Sequence, residues 1–342
     1  MKKESILITF LVICSFSICV NAGTQKNTPE QNLILLREAL DIAQTPAQKV
    51  KIINRIAKTE TFLGMITAGR LLEDSNEKVQ QASVQAIISI ALARPEYYGK
   101  VVTELLNKAM LLNKNRKASN QKQAIQKHLA KLPQDEGFVP MFNGRDLFGW
   151  KGLVENPIAR AKMTPEQLAE KQEQADEKMR RDWKIQNGIL VFEGKGFDNL
   201  CSAKMYGDFE LYVDWKIAPM GDAGIYLRGS PQVQIWDVAN TRAGAQVGSG
   251  GLYNNKINES KPLLVADNPV NKWNSFFIRM ESDKVTVYLN GKLVTDNIVM
   301  ENYWNRKLPI FPEESIELQA HGTRTEYRDI YVREIKHKEL KQ

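Results

Sequence analysis

Residues 210–217 read Glu-Leu-Tyr-Val-Asp-Trp-Lys-Ile, so large apolar side chains alternate with polar or aromatic ones. Successive side chains of a β-strand point to opposite faces of its sheet. The segment is therefore predicted to be a strand with one face in a hydrophobic core. The core face would carry Leu211, Val213, Trp215 and Ile217, and the opposite face Glu210, Tyr212, Asp214 and Lys216.

The same alternation recurs in residues 224–228, 233–236 and 316–321. The second face of these segments is polar or aromatic, and it carries Tyr226, Arg228, Gln234, Trp236, Glu317, Gln319 and His321. Aromatic rings offer apolar area to the C–H face of a sugar, and Arg, Gln and Asp bond hydroxyls or carbonyls. We expect the four strands to share one ligand-binding face. The alternative is an ordinary solvated sheet face with occasional aromatic residues.

Turn signals between such segments favour an antiparallel β-sandwich or barrel over a parallel α/β sheet. Asn187-Gly188 and Asn290-Gly291 are predicted hairpin turns. The glycine-rich segment 248–255 lacks the Lys-Ser/Thr of a phosphate-binding loop. We expect it instead to bring Tyr253, Asn254 and Asn255 over the site.

The first part of the chain has helical rather than strand periodicity, and 342 residues suggest two domains. Leu33, Leu36 and Leu40 recur at helix spacing. Residues 71–82 look like the turn between the helices of a HEAT-type repeat. We predict an all-α, HEAT-like domain over 23–133 that serves as a scaffold or docks a protein partner. A plain helical bundle without a partner is the alternative.

A linker at 132–137 precedes the predicted β-domain, which spans 137–336. Helical patterning returns once, in an insertion at about 155–182. There Thr164 and Gln167 have capping-box spacing around Pro165 at the first helical position.

The N-terminus has the features of a secretory signal peptide over residues 1–22. Lys2 and Lys3 precede an apolar run, Ile6–Val20, and Val20-Asn21-Ala22 forms a small-residue cleavage pattern. The run is shorter than the ~20 residues that span a bilayer. We therefore expect a periplasmic or secreted protein without a stable membrane span. A membrane anchor and a lipoprotein are the alternatives.

The composition excludes some function classes. The formal charge of +7 is mild for this length. The sequence has no stripe of Lys and Arg interleaved with aromatic residues, so it does not predict a nucleic-acid-binding surface. Cys201 is the one cysteine that follows Ala22, so we expect a buried apolar thiol and no disulfide. No His/Cys spacing indicates zinc.

Several segments of the second domain occur in an order that resembles one family. They are Gly137–Leu147, Tyr206–Leu211, Gly224–Gly229, Trp273-Asn274, Leu289–Gly291, Leu318–Gly322 and Arg328–Ile330. Together they resemble the 3-keto-disaccharide hydrolase family of glycosyl hydrolase-like domains over about residues 137–336. The resemblance implies a concanavalin A-like jelly roll in a secreted protein that acts on glycosides oxidised at C3. The loop 248–255 and the insertion resemble a subgroup that eliminates the aglycone from 3-keto-glucosides.

The implied chemistry needs one base and a stabiliser of negative charge. A ketone at C3 acidifies the C2 hydrogen, so a base can remove it and the C1 substituent can leave by β-elimination. Water addition to the enone completes a net hydrolysis. We expect His321 to act as general base or acid, and Arg228 and Gln319 to hold the C3 oxygen. Asp214 or Glu210 would orient His321 or act as the base.

The expected substrate contacts are Tyr226, Gln234, Trp236, Asp237, Tyr253, Asn254 and Trp273. The expected partner is a small-molecule or oligosaccharide glycoside. The sequence predicts no cofactor. A divalent metal at the C3 carbonyl stays open, but no spacing singles out its ligands.

Two other functions stay open from the sequence alone. The same fold serves non-catalytic, lectin-like carbohydrate-binding modules. A two-carboxylate glycosidase is the other alternative. In related sandwiches such enzymes carry Glu-x-Asp-x-x-Glu, and the spacing of Glu210 and Asp214 differs from that pattern.

Overall fold

The computed structural model describes residues 26–337, so the predicted signal peptide lies outside the described residues. Helices come first, and strands follow from Val139 onward. The first helices are α1 (Pro29–Asp41), α2 (Pro46–Ala57), α3 (Phe62–Gly69), α4 (Glu77–Ala93), α5 (Lys100–Leu112) and α6 (Ala118–Leu129). None of the helices in this range is long and apolar enough to cross a membrane.

The second domain is built from two antiparallel sheets. Its elements are β1 (Val139–Pro140), β2 (Trp150–Gly152), α7 (Pro157–Arg160), α8 (Pro165–Asp182), β3 (Trp183–Gln186), β4 (Ile189–Phe192), β5 (Leu200–Ser202), β6 (Phe209–Ile217), β7 (Asp222–Leu227), β8 (Ser230–Trp236), β9 (Asn274–Glu281), β10 (Lys284–Leu289), β11 (Lys292–Val299), β12 (Glu317–Leu318) and β13 (Thr325–Glu334). The larger sheet has the order β11-β10-β9-β6-β13-β4-β3, with β1 also paired to β13. The smaller sheet has the order β2-β5-β12-β7-β8. An α-helical region followed by a β-sandwich confirms the predicted fold class. The HEAT-like character of the helices stays a prediction.

Local sequence signals account for the ends of these elements. Asn187 and Gly188 connect β3 to β4, and Asn290 and Gly291 connect β10 to β11. All four residues have positive φ, as a two-residue type I′ turn requires. The capping box of Thr164 and Gln167 starts α8 as predicted. These local predictions are confirmed.

The core between the sheets contains the rows of residues that alternation assigned to it. Leu211, Val213, Trp215 and Ile217 are all buried there. Trp215 packs against Phe276 of β9, with ring centroids 5.4 Å apart. The predicted core face of the opening segment is confirmed.

The helical region packs on the outer face of the larger sheet. Phe62 of α3 stacks on Tyr212 of β6, with ring centroids 5.4 Å apart, and it also contacts Tyr331 of β13. The hydrophobic core of the helices thus continues onto the sheet. The partner that the structure shows for these helices is the sandwich of the same chain, and a separate protein partner stays a prediction.

Buried ion pairs lie beside this apolar contact. Arg37 of α1 donates from Nη1 to Asp214 Oδ2 at 2.7 Å and also pairs with Asp329 of β13. Arg70 pairs with the other oxygen of Asp329. Burial alone would lower the pKa of Arg37, but Asp329 and Asp214 raise it above its ordinary value. Arg37 therefore stays charged in a buried position.

We predict that Arg37→Met lowers the free energy of unfolding by about 3–5 kcal/mol, because removing one partner of a buried pair leaves uncompensated charge. Lys272→Ala is the control, since Lys272 pairs with Glu38 across the same interface but is half exposed. Its loss should stay below about 1 kcal/mol. Chemical denaturation followed by circular dichroism measures both, and equal losses would contradict the prediction.

Candidate functional site

The outer face of the five-stranded sheet carries a continuous set of polar and aromatic side chains. Directly opposed residues of antiparallel strands point to the same face. Glu317 of β12 lies opposite Tyr226 of β7 on one side and opposite Cys201 of β5 on the other. Gln234 of β8 lies opposite Gly224. We call this surface the site face.

Two of the predicted catalytic residues lie elsewhere, because β6 belongs to the other sheet. Glu210 accepts a hydrogen bond from Arg279 at 2.7 Å and pairs with Arg333. Asp214 is held between Arg37 and Arg328 beneath the helices. The expectation that they share a face with His321 is wrong. Alternation assigns residues to a face of one strand but does not say which strands are neighbours.

Arg228 and Trp273 are also placed away from His321. Arg228 follows the end of β7 with a positive φ of 45°, which breaks the alternation. It is buried, and its Nη1 donates to the carbonyl of Pro312 at 3.1 Å. The six residues from Asp222 to Arg228 span roughly 20 Å along a strand, and Asp222 is the residue beside His321.

Trp273 lies over the outer face of the larger sheet rather than on the site face. The guanidinium carbon of Arg328 is 3.9 Å from the centroid of its ring. The predicted placement of Trp273 among substrate contacts is therefore wrong.

His321 stands at an open end of the site face. Its side chain is 48% exposed, and its Nδ1 lies 3.8 Å from Asp222 Oδ2. The other oxygen of Asp222 accepts a hydrogen bond from Gln234 Nε2 at 2.7 Å. Gln232 donates to the side-chain oxygen of Gln234. The result is a chain of side chains that fixes a carboxylate beside an accessible imidazole.

Two buried polar atoms on this face lack hydrogen-bond partners within residues 26–337. They are Gln319 Oε1, an acceptor, and Trp236 Nε1, a donor. An unpaired buried polar group is unfavourable by about 1–3 kcal/mol. Among the described residues, the site face thus presents one unpaired acceptor and one unpaired donor.

The glycine-rich loop places an aromatic ring beside Trp236. Gly251 accepts a hydrogen bond from the backbone of Gln234 at 3.0 Å, so the loop runs along the edge strand β8. Tyr253 then meets Trp236 edge to face, with ring centroids 5.0 Å apart, and stays half exposed. A substrate contact of Tyr253 stays a prediction.

The other two predicted substrate contacts, Asp237 and Asn254, form hydrogen bonds within the fold. Asp237 accepts hydrogen bonds from the backbone amides of Met220 at 2.7 Å and Ala239 at 2.9 Å. The backbone carbonyl of Asn254 accepts from Arg306 at 2.7 Å. Both carboxylate oxygens of Asp237 thus hold the turn after β8.

Sequence reasoning placed Glu317 on this face but gave it no role. Its side chain is buried and accepts a hydrogen bond from Asn199 Nδ2 at 3.3 Å. Burial raises the pKa of Glu317 to about 7. Burial and the charge of Glu317 also raise the pKa of the opposing Tyr226 to about 12. A carboxyl that titrates near neutral pH therefore lies beside a tyrosine that keeps its proton.

The insertion closes the other end of the face. Arg160 of α7 forms an ion pair with Glu314 at 2.8 Å. Helix α8 packs on the edge strand β2, where Gln172 donates to the carbonyl of Gly152 at 2.9 Å. A Cβ at Gly152 would lie 2.2 Å from the carbonyl oxygen of Ala175, so this close packing requires glycine.

Four residues of the site face were missed as functional candidates: Asn199, Asp222, Gln232 and Glu317. Asp222 and Gln232 follow from the two-residue period, because they precede Gly224 and Gln234 on the same face. Asn199 has no signal in the sequence, since its contact with Glu317 joins residues 118 positions apart.

A separate cavity of about 770 Å³ lies between the helices and the larger sheet. Arg70 and Asp329, two of the residues that line it, already pair with each other.

Across residues 26–337, no group of three or more His, Cys, Asp or Glu side chains is arranged to hold a metal ion.

Comparison with known families identifies the second domain. The profile of the 3-keto-alpha-glucoside-1,2-lyase-like domain matches residues 137–333, which is more than half of the chain. The chain belongs to this family. Its second domain is accordingly a carbohydrate-active, glycosyl hydrolase-like domain.

Solved structures similar to this chain include two from Parabacteroides distasonis, each named "putative glycosyl hydrolase". One is 20% identical with a TM-score of 0.43, and the match covers 58% of this chain and 95% of that one. The other is 20% identical with a TM-score of 0.38, with 54% and 99% covered. The carbohydrate-binding module CBM66 from Bacillus subtilis is 14% identical, with a TM-score of 0.31 and 53% and 93% covered. No curated protein sequence matches the chain.

We predict that Glu317→Gln makes this family member more stable at pH 8 but not at pH 4. The folded pKa of about 7 exceeds the ordinary 4.5. Between these values the unfolded chain releases a proton that the folded protein keeps, so wild-type stability falls as the pH rises through this window. The difference above pH 7 is on the order of 3 kcal/mol.

Chemical denaturation at pH 4, 6 and 8 measures this effect. Glu313→Gln is the control, because Glu313 is exposed and lies only four residues away. Its stability should follow the wild-type pH dependence. A Glu317→Gln variant with the same pH dependence as wild type would show that Glu317 is not the buried acid.

Proposed function

We propose that the protein cleaves 3-keto-glycosides by removing the C2 proton and eliminating the substituent at C1. The observation that carries the proposal is the His321–Asp222 pair at the open end of a polar face in a chain of this family. A ketone at C3 makes the C2 hydrogen acidic, so one accessible base is sufficient. The imidazole of His321 takes this role, and Asp222 stabilises the imidazolium that forms.

The enolate oxygen needs donors that are present before the reaction. Tyr226 keeps its proton at neutral pH, because burial raises its pKa to about 12. Trp236 Nε1 is a second donor, and it lacks a partner within the described chain. The amide of Gln319 is a third. Gln319 thus keeps the role that the sequence assigned to it, and Tyr226 and Trp236 replace Arg228.

Electrons and atoms balance without a redox partner. The C2–H electron pair forms the enolate, which collapses to a C1–C2 double bond as the C1–O bond breaks. The proton taken by His321 can return to the leaving oxygen. The products are an enone and the free aglycone, and water addition across C1–C2 gives the 3-keto sugar.

A two-carboxylate glycosidase fits the geometry less well. The carboxyl groups of the site face are Asp222 and Glu317. Such an enzyme needs both carboxyl groups at the glycosidic bond. Glu317 is buried and accepts a hydrogen bond from Asn199, whereas Asp222 lies beside His321 at the open end of the site face.

The proposal predicts aglycone release from a 3-keto-glucoside but not from its unoxidised parent. In deuterated water, substrate recovered before completion should carry deuterium at C2 if proton removal is reversible. Mass spectrometry of both products measures these outcomes. Release from the parent would support a glycosidase, and binding without release would support a carbohydrate-binding module.

His321→Ala should lower kcat by about 10²–10⁴-fold, the range for loss of a general base. His337→Ala is the matched control, since His337 is also exposed but pairs with Asp208. It should retain wild-type kcat. A His321→Ala variant within a few-fold of wild type would remove His321 from the mechanism.

A further inference from the structure

Phe197 is a large apolar side chain that the fold leaves in solvent beside His321. It is 71% exposed, and its ring meets the imidazole edge to face with centroids 6.0 Å apart. A single exposed apolar residue needs no explanation by itself. This one flanks the group proposed to transfer the proton, at the open end of the site face.

The loop that presents Phe197 is anchored on both sides. Gly194 and Gly196 have positive φ, and a Cβ at Gly196 would lie 2.2 Å from Asp182 Oδ2. On the other side, Asp198 accepts a hydrogen bond at its carbonyl from Trp183 Nε1 at 2.9 Å. The backbone is thus held against the end of α8 and the start of β3 while the Phe197 ring stays free of the core.

Gly322 leaves space next to this ring. It has a positive φ of 65°, and a Cβ there would lie 3.7 Å from the ring of Phe197. The ring is therefore bordered by His321 and by a residue without a side chain. The exposed area of the ring is available to a planar group.

The site face is polar, and Phe197 adds an apolar surface at its open end. This difference indicates where the two parts of a glycoside bind. The polar part of the site face offers Gln319 and Tyr226 to the hydroxyl and carbonyl groups of the sugar. The substituent at C1 leaves next to the proton-transfer group, and Phe197 is the ring beside His321. Aromatic pairs in offset or edge-to-face contact gain about 0.5–1.5 kcal/mol beyond burial.

We propose that Phe197 forms an aglycone subsite that selects glycosides with an aromatic substituent at C1. This inference rests on the proposed function, because it places the leaving group beside His321. It adds a substrate class to that function: aryl 3-keto-glucosides rather than alkyl ones.

The test compares phenyl and methyl 3-keto-glucosides with wild-type protein, Phe197→Ala and Phe148→Ala. Phe148 is the matched control. It is 84% exposed and precedes β2, whose Trp150 pairs with Ser202 at the end of β5 remote from Phe197. Phe197→Ala should lower kcat/KM for the phenyl substrate by roughly five- to tenfold, and by less than twofold for the methyl substrate. Phe148→Ala should change neither value. Comparing each variant with wild type on the same substrate cancels the intrinsic difference in leaving-group reactivity.

A binding measurement separates this inference from the proposed reaction. Phenyl and methyl glucosides that are not oxidised are titrated into the full chain and followed by calorimetry. If Phe197→Ala weakens the binding of the phenyl glucoside but not of the methyl glucoside, the result supports the subsite even where no 3-keto-glucoside is cleaved. Turnover of 3-keto-glucosides with equal losses for phenyl and methyl substrates overturns the subsite and leaves the reaction intact. Equal affinity of all three proteins for both glucosides also overturns it.

Discussion

Each strand of the sandwich has two faces, and only one of them can enter the core between the sheets. The outer face of the larger sheet is covered by helices through Phe62 and Tyr212. At the His321 end of the smaller sheet the outer face is open, since about half of the His321 side chain is exposed. The location of the candidate site follows from this asymmetry. Tyr212 and Tyr226 both lie on the second face of a strand, but one packs under a helix and the other lies on the site face.

The helical cover combines apolar contact with buried charge. Arg37 links Asp214 to Asp329, and both carboxylates lie on adjacent strands of the larger sheet. A buried ion pair adds little net stability compared with apolar residues, but a misplaced one is strongly unfavourable. We infer that these pairs fix the position of the helices on the sheet, while Phe62 and its aromatic neighbours supply the attraction. The helices thereby occupy the face on which Glu210 and Asp214 were expected to do chemistry.

The features that the sequence predicted correctly depend on residues that are close together in the chain. The Asn-Gly turns, the capping box at Thr164 and the core row around Trp215 follow from residues within one element, and all were predicted. The strands that pair with β6 could not be predicted, because its pairing with β13 joins residues more than 100 positions apart. Arg228 was misplaced because one positive φ ends the alternation. The raised pKa of Glu317 depends on burial by distant segments, so alternation predicts the face of this residue but not its protonation.

The hydrogen-bonding character of the site face argues for a neutral polyol more than for an ion. Gln319 Oε1 needs a donor and Trp236 Nε1 needs an acceptor, at least among the residues from 26 to 337. A hydroxyl group supplies both, whereas a carboxylate or an ammonium group supplies one. A ketone adds an acceptor without a donor, which suits Trp236 Nε1 and the protonated hydroxyl of Tyr226. The hydroxyl groups of a carbohydrate therefore satisfy more of this face than an ion does.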